Sequence, residues 1–260
     1  TSQYTLSLHD ALPISEEPAA LADLGDERAL VVADYHAGIE LGLRREGVEL
    51  DSRAADRREH LLDLVVRTDP DRLVVLGDLG HDIGDPWREE REEIADLLAA
   101  VTDRVPVTLV KGNHDGDVEE LAADLGLDLE ITASDGTRLG DVGFAHGHTW
   151  PSPAVLAADV VCVGHEHPVV RLEDEVGGYR LERVWLRGPL DPAPFLAYHG
   201  DEDLPVGDEL VVCPAFNDLS GGTWINVRGQ EFLAPFLPAG LDDGEAWLLD
   251  GTRLGPYETV

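Results

Sequence analysis

The stretch Val107-Thr108-Leu109-Val110-Lys111-Gly112-Asn113-His114-Asp115 decides the fold. A short run of β-formers ends abruptly in a glycine and three chemically active side chains. Such a run reads as a strand, and the glycine marks the turn at its end. The design recurs twice upstream: Leu73-Val74-Val75-Leu76 ends in Gly77-Asp78, and Ala29-Leu30-Val31-Val32-Ala33 ends in Asp34-Tyr35-His36. Between these strands, residues 52–67 carry Ala54, Leu61, Leu62, Leu64 and Val65 at helical spacing. Residues 87–101 do the same with Ile94, Leu97 and Leu98, and a short helix is expected near 117–125. Strand, polar tip, helix, repeated three times, is the signature of an α/β sheet with parallel pairs.

After residue 128 the pattern shifts to short strands, expected at 129–132, 137–145, 160–164, 168–175, 179–187, 209–213 and 223–227. A helix is expected at 152–158. The Pro, Asp and Gly of residues 191–208 predict a surface loop. No change of composition divides residues 16–260, which read as a single domain. Thr1 to Ser15 differ: they are poor in acid, and the chain contains no Met. Residues 1–15 are expected to be a non-native leader outside the fold.

The charge constrains the setting. There are 53 acidic against 19 basic residues, a formal net charge of -34, and Lys111 is the only lysine. Acidic chains poor in aromatics can be disordered, but the regular apolar runs point to a folded core. An acidic, lysine-poor surface on a folded core matches the proteins of salt-accumulating halophiles. The chain offers no basic stripe of the kind that binds nucleic acid, and no apolar run long enough to span a membrane. Cys162 and Cys213 sit inside apolar runs, which makes them small core residues and favours the cytoplasm.

Five clusters hold the chemistry, each where a strand ends: Asp34-Tyr35-His36, Gly77-Asp78, Gly112-Asn113-His114-Asp115, Ala145-His146-Gly147-His148 and Val163-Gly164-His165-Glu166-His167. In open α/β sheets, ligands gather at the carboxyl ends of strands. Imidazole and carboxylate together suit borderline divalent ions, and a shared carboxylate can bridge two of them. In Asp34-x-His36 the two side chains lie two apart in extended backbone, so both are expected to point to one face, and the same holds for His165-x-His167.

This ordered set resembles the calcineurin-like metallophosphoesterase superfamily. The resemblance implies a four-layer αββα sandwich with mixed sheets. It implies two divalent metal ions, Mn first, with Fe or Zn as alternatives. Asp34, His36 and His167 would hold one ion. Asn113, His146 and His165 would hold the other, and Asp78 would bridge them. His148 stands as the alternative to His146. His114 would stabilise charge or protonate the leaving group, with Asp115 orienting it. The implied reaction is hydrolysis of a phosphodiester by hydroxide activated between two metals. The stretches from Asp34 to Glu40, from Gly77 to Asp82 and from Pro214 to Gly222 resemble a prokaryotic branch related to the nuclease subunit of double-strand-break repair complexes. That branch makes nucleic acid the first candidate substrate, and a small-molecule phosphodiester or phosphatase substrate the second. A non-catalytic scaffold would be expected to have lost ligands that are present here. His81 stands where many such phosphatases carry Asp, which bears on the surroundings of Asp78. Arg44 and Arg45, read as part of a loop after Asp34, are either contacts to substrate phosphate or a solvated pair. Trp87 and Trp150 flank the motifs as pocket lining or packing.

The charge generates the first prediction. Near 1 M salt the Debye length falls to about 3 Å, which screens the self-repulsion of the acidic surface. The melting temperature should therefore climb steeply with KCl, well past about 0.15 M. A flat profile in calorimetry would remove the halophilic reading.

Overall fold

The apolar runs become strands whose two faces go to different layers. A computed structural model describes residues 12–83, 88–174 and 176–260. Residues 1–11 of the expected leader, and Trp87, lie outside the described residues.

The first sheet contains β1 (Leu12–Pro13), β2 (Ala19–Asp23), β3 (Arg28–Ala33), β4 (Arg72–Leu76), β5 (Val107–Val110) and β6 (Glu130–Thr132), in that order. β3 to β6 run parallel, while β1 and β2 are antiparallel additions at one edge. Part of the expected leader is therefore seated on the fold: Leu12 and Pro13 pair with β2, and Ile14 packs against the helix-side core.

Along β3 the side chains alternate. Leu30 and Val32 face the helices, whereas Ala29, Val31 and Ala33 face the second sheet. β4 and β5 repeat the pattern with Leu73, Val75, Val107 and Leu109 on the helix side. That face is covered by α2 (Ala54–Thr68), α3 (Arg88–Thr102) and α4 (Val118–Leu125). The apolar stripe of α2, with Leu61, Leu64 and Val65 buried, follows from the spacing in the sequence.

The second sheet runs in the order β14, β13, β11, β12, β9, β8, β7, with β10 paired to the first half of β11. Its strands are β7 (Thr137–Leu139), β8 (Val142–Ala145), β9 (Val160–Val163), β10 (Val169–Glu173), β11 (Tyr179–Pro189), β12 (Glu209–Val212), β13 (Glu245–Leu248) and β14 (Arg253–Pro256). β8, β9 and β12 are parallel neighbours and the remaining pairs are antiparallel, so both sheets are mixed. Phe144, Cys162, Trp185, Val211 and Cys213 fill the layer between the sheets. Both thiols are buried and unpaired. The outer face of the second sheet is covered by α5 (Pro153–Leu156), α6 (Ala193–His199) and the segment around Phe236. The four layers are helix, sheet, sheet, helix, as expected.

Four local expectations change. Residues 137–145 form a hairpin rather than one strand. The segment 191–208 contains α6, whose apolar Phe195 is buried despite the Pro-rich flank. Residues 223–227 contribute only one bridge, from Trp224 to Val169. Arg44 and Arg45 end a helix, α1 (Ile39–Arg45), which begins at Gly38 with φ 79°. Among the described residues, no helix is long and apolar enough to cross a membrane.

A buried ion cluster fixes α1 against its neighbours. Arg57 of α2 donates to Glu40 of α1 at 3.2 Å and to Glu93 of α3 at 2.6 Å. Glu93 also accepts the Gly38 amide at 2.8 Å, which anchors the chain just beyond His36. Burial opposes ionisation of both carboxylates. Arg57 overcomes it at Glu40, whose pKa is lowered, but not at Glu93, whose pKa is raised. Removing one partner from such a cluster leaves buried charge uncompensated. Arg57→Ala should cost about 3–5 kcal/mol in equilibrium urea unfolding. A cost near zero would mean that α1 and α3 are held mainly by apolar packing.

Candidate metal centre

Both sheets aim the carboxyl ends of their parallel strands at one rim. Asp34 follows β3, Asp78 lies two residues past β4, and Asn113 and His114 follow β5. From the second sheet, His146 follows β8 directly, and His165 and His167 follow β9. Strand-like pairing continues into the tips: His36 N donates to Asp78 O at 2.9 Å, and Ala37 N to Leu79 O at 2.8 Å.

The backbone at the ligands is not extended. Asp34, His36, Asp78, His165 and His167 have φ of 57°, 47°, 49°, 68° and 45°. The expectation that D-x-H and H-x-H share a face through extended geometry is therefore overturned. The side chains converge because each residue is held in the left-handed region. That conformation is uncommon outside glycine and costs on the order of 1–3 kcal/mol per residue. Close backbone approach explains the neighbouring glycines. A Cβ on Gly112 would lie 2.2 Å from Asp78 Oδ1, and one on Gly77 would lie 2.4 Å from His146 Nδ1.

Two groups of ligand atoms result, each with its members within 4.8 Å of one another: Asp34, His36 and His167, and Asp78, His146 and His165. In the first group His36 Nε2 and His167 Nε2 are 3.3 Å apart, and Asp34 Oδ1 is 3.2 Å from His167 Nε2. In the second, His146 Nε2 is 3.3 Å from Asp78 Oδ1 and 3.2 Å from Asn113 Oδ1. Asp78 faces both groups, because its Oδ2 lies 3.9 Å from His36 Nε2. The six residues and Asn113 thus lie together at one rim of the two sheets.

The donor chemistry fits divalent cations. His146 Nδ1 contacts Leu76 O at 2.7 Å, and His167 Nδ1 contacts Gly221 O at 2.8 Å. Each contact makes Nδ1 the donor and leaves Nε2 a lone pair aimed into the cluster, which is how metal-binding histidines are oriented. Lone pairs of imidazole, carboxylate and amide then converge at little more than 3 Å, an arrangement that calls for positive charge. The titration tendencies agree. Burial opposes an imidazolium at His146, but Asp78 and Asp34 outweigh it and push its pKa up to about 9. Burial also opposes charge at His167, where Asp34 prevails and raises the pKa. Burial lowers His36 to about 3 and His165 to about 4. A divalent ion in either group can supply the charge that a proton would otherwise bring.

His114 stands beside the second ligand without joining either group. Its amide donates to Asp78 Oδ1 at 3.0 Å, and its Nε2 lies 3.7 Å from Asp78 Oδ2. Its Nδ1 contacts the His81 carbonyl. Orientation of His114 thus falls to His81 rather than to Asp115. Both Asp115 oxygens are taken by backbone, from Leu79 N at 2.7 Å and Gly112 N at 2.8 Å, which ties two ligand loops together. The His81 ring stacks on His114 and meets His36 edge-on. His148 sits beside His146 and His165, and its buried Nδ1 has no hydrogen-bond partner among the described residues. Arg44 and Arg45 are exposed, and Arg45 pairs with Asp82 at 3.4 Å.

Three supporting residues escaped the sequence reading. Asn217 donates its side-chain amide to the carbonyls of Tyr35 at 3.0 Å and His36 at 3.1 Å. Glu166, fully buried, accepts from Leu233 N and Ala234 N and anchors the late chain behind the H-x-H pair. Glu90 accepts the His81 amide at 2.6 Å. Glu166 and Asn217 lie inside stretches that the sequence marked out, but their roles depend on contacts with residues far along the chain, while no local motif flagged Glu90.

Residues 27–154 match the family model of the calcineurin-like phosphoesterases. Among solved structures, the chain is similar to the Pseudomonas putida nuclease MPE, with 19% identity and a TM-score of 0.52, covering 93% of this chain and 98% of that one. It also matches YfcE, a phosphoesterase from E. coli, with 24% identity and a TM-score of 0.36, over 56% of this chain and 73% of that one. The first is a likeness of fold across nearly the whole molecule. Comparison with curated proteins finds no match.

The geometry leads to a metal-binding prediction. After reconstitution with excess Mn, elemental analysis should find two ions per chain. Asp78→Ala should empty at least one position, because both groups lose an oxygen. One ion or none in the unmodified protein would overturn the two-group assignment.

Proposed function

We propose that the chain, whose residues 27–154 match the calcineurin-like phosphoesterase family model, is a dinuclear metal enzyme that hydrolyses phosphodiesters. The observation that supports this best is the position of Asp78. One carboxylate oxygen faces His146, and the other faces His36 and His114. A carboxylate shared between two ligand groups can bridge two ions about 3.5–4 Å apart, the spacing at which a metal pair clamps a phosphoryl group.

Asp34, His36, His167 and Asp78 would hold one ion; Asp78, Asn113, His146 and His165 would hold the second. Mixed imidazole, carboxylate and amide donors suit Mn, Fe or Zn, with Mn the first choice. Bound ions supply Lewis acidity to phosphoryl oxygens and lower the pKa of water. The other duties fall to the protein. Asp34 accepts the His165 amide on both oxygens, at 3.1 and 3.0 Å, which locks one ligand loop against the other. His114, pinned at Nδ1, keeps Nε2 toward the cluster. As an imidazolium it can neutralise charge on phosphorus or protonate the departing alkoxide.

Nucleic acid is the first substrate to test, since the fold extends over nearly all of a nuclease from P. putida. The net charge of -34 favours a small diester as the second reading. Buried free thiols at Cys162 and Cys213 suit a cytoplasmic enzyme.

His114→Ala separates chemistry from metal binding. It should keep both ions and lose about 10²–10⁴-fold in kcat on the best diester, the usual worth of a positioned acid. The assay is hydrolysis with Mn in high KCl, with a phosphodiester, a phosphomonoester, cyclic nucleotides and DNA as substrates. Loss of metal would make His114 a ligand; a near-normal kcat would remove it from the chemistry.

A further inference from the structure

A groove of about 360 Å³ lies beside the metal centre, between the start of α2, Arg183 of β11 and the segment 216–218. Its wall is shared with the first ligand group. Asn217 holds the carbonyls of Tyr35 and His36, and Gly221 O holds His167 Nδ1. The segment 215–221 therefore separates groove from metal site and touches both.

Arg183 is the unusual feature. In a chain with 53 acids and 19 bases, it forms no ion pair among the described residues. Its Nη1 donates to Ala215 O at 2.7 Å and Phe216 O at 3.2 Å. Its Nε and Nη2 have no protein partner among the described residues. Those two nitrogens form the flat fork that grips a phosphate through two parallel hydrogen bonds. Burial holds the pKa of Arg183 below the ordinary arginine value, although Asp218 acts the other way. Across the groove, Arg53 pairs with Asp218 at 3.0 Å, and both side chains are about half exposed, at 44% and 48%. Arg57 is committed to Glu40 and Glu93 and takes no part. An arginine needed only to brace the segment 215–216 would use Nη1 alone and could turn its fork to a carboxylate.

We propose that this groove binds a second phosphate of a single-stranded nucleic acid whose scissile phosphate lies on the metal centre, with Arg183 as the principal donor and Arg53 as the second. The proposal rests on the phosphodiesterase reading above and extends it from reaction to substrate. Phosphate contacts of this kind set the register of a strand and carry no sequence information. Asp218 is a built-in competitor, since it occupies Arg53 until a phosphate displaces it.

The test compares a substrate with one phosphate, bis(p-nitrophenyl) phosphate, against an eight-residue oligothymidylate. Arg183→Ala should raise KM for the oligonucleotide about 10-fold or more, the scale of one lost charge-assisted hydrogen bond. It should leave kcat unchanged and alter kcat/KM for the small diester by less than about twofold. Asp218→Asn should do the reverse and lower the oligonucleotide KM, a gain that no purely structural role explains. Fluorescence anisotropy of the labelled oligonucleotide, with Ca in place of Mn, should rank the variants identically. For Arg183→Ala its salt dependence should be shallower by roughly 0.7 in slope. Equal losses on both substrates, an unchanged oligonucleotide KM, or weaker binding in Asp218→Asn would each overturn the proposal. If the unmodified protein turns over neither substrate, the hydrolase reading fails, and the anisotropy still decides the groove: Arg183-dependent binding upholds it and its absence overturns it.

Discussion

Asp78 is the constraint around which the molecule is arranged. Its carboxylate is almost fully buried and faces histidines from both sheets. Burial alone would favour its protonated form, yet His146 and the other imidazoles around it drive its pKa far below the usual carboxylate value. An anion is thereby kept where anions are costly. It is kept at the one point where strand ends from two sheets meet, so neither sheet can shift without moving a ligand.

Holding this arrangement has a conformational cost. Five of the eight non-glycine residues with positive φ, among the described residues, belong to the two ligand groups. Strained backbone persists only where its surroundings over-determine it. Here the surroundings are identifiable. Asp34 receives the His165 amide, Asp78 receives the His114 amide, and Asp115 binds Leu79 N and Gly112 N. Behind these stand Asn217, which holds the carbonyls of Tyr35 and His36, and the Arg57 cluster, which holds the chain at Gly38 just beyond them. Stability of the helical layer and precision of the site are therefore the same property, carried by the same buried polar groups.

The overall charge and the local charge follow different rules. A net charge of -34 belongs to the surface and to the ionic medium. Near the site most cations have assigned work: Arg45 with Asp82, Arg53 with Asp218, Arg57 with two glutamates. The scarcity of basic residues makes each placement informative. The same scarcity gives Arg183, half-buried and without a carboxylate partner among the described residues, its meaning.

The sequence by itself determined the sheet with parallel strands, the main helices on its face and the identity of the metal-ligand candidates. The reason is local. Apolar runs of four or five residues, 3.6-residue periodicity and glycine-flanked polar tips all act within a few positions of one another. Elements whose apolar pattern is short or interrupted were not legible. α1 contains Gly42, α6 sits among prolines, and β13 and β14, which read EAWL and RLGP, carry no unbroken apolar run. The tertiary structure decided how the ligands converge, replacing extended geometry with left-handed backbone. It also decided which group orients His114, giving that task to the His81 carbonyl while Asp115 braces two loops. These outcomes depend on atoms brought together from positions 33 to 182 residues apart, such as His81 with His114 and Asn217 with Tyr35. Only the packing of two sheets, with their strand ends at one rim, puts such atoms within hydrogen-bond reach.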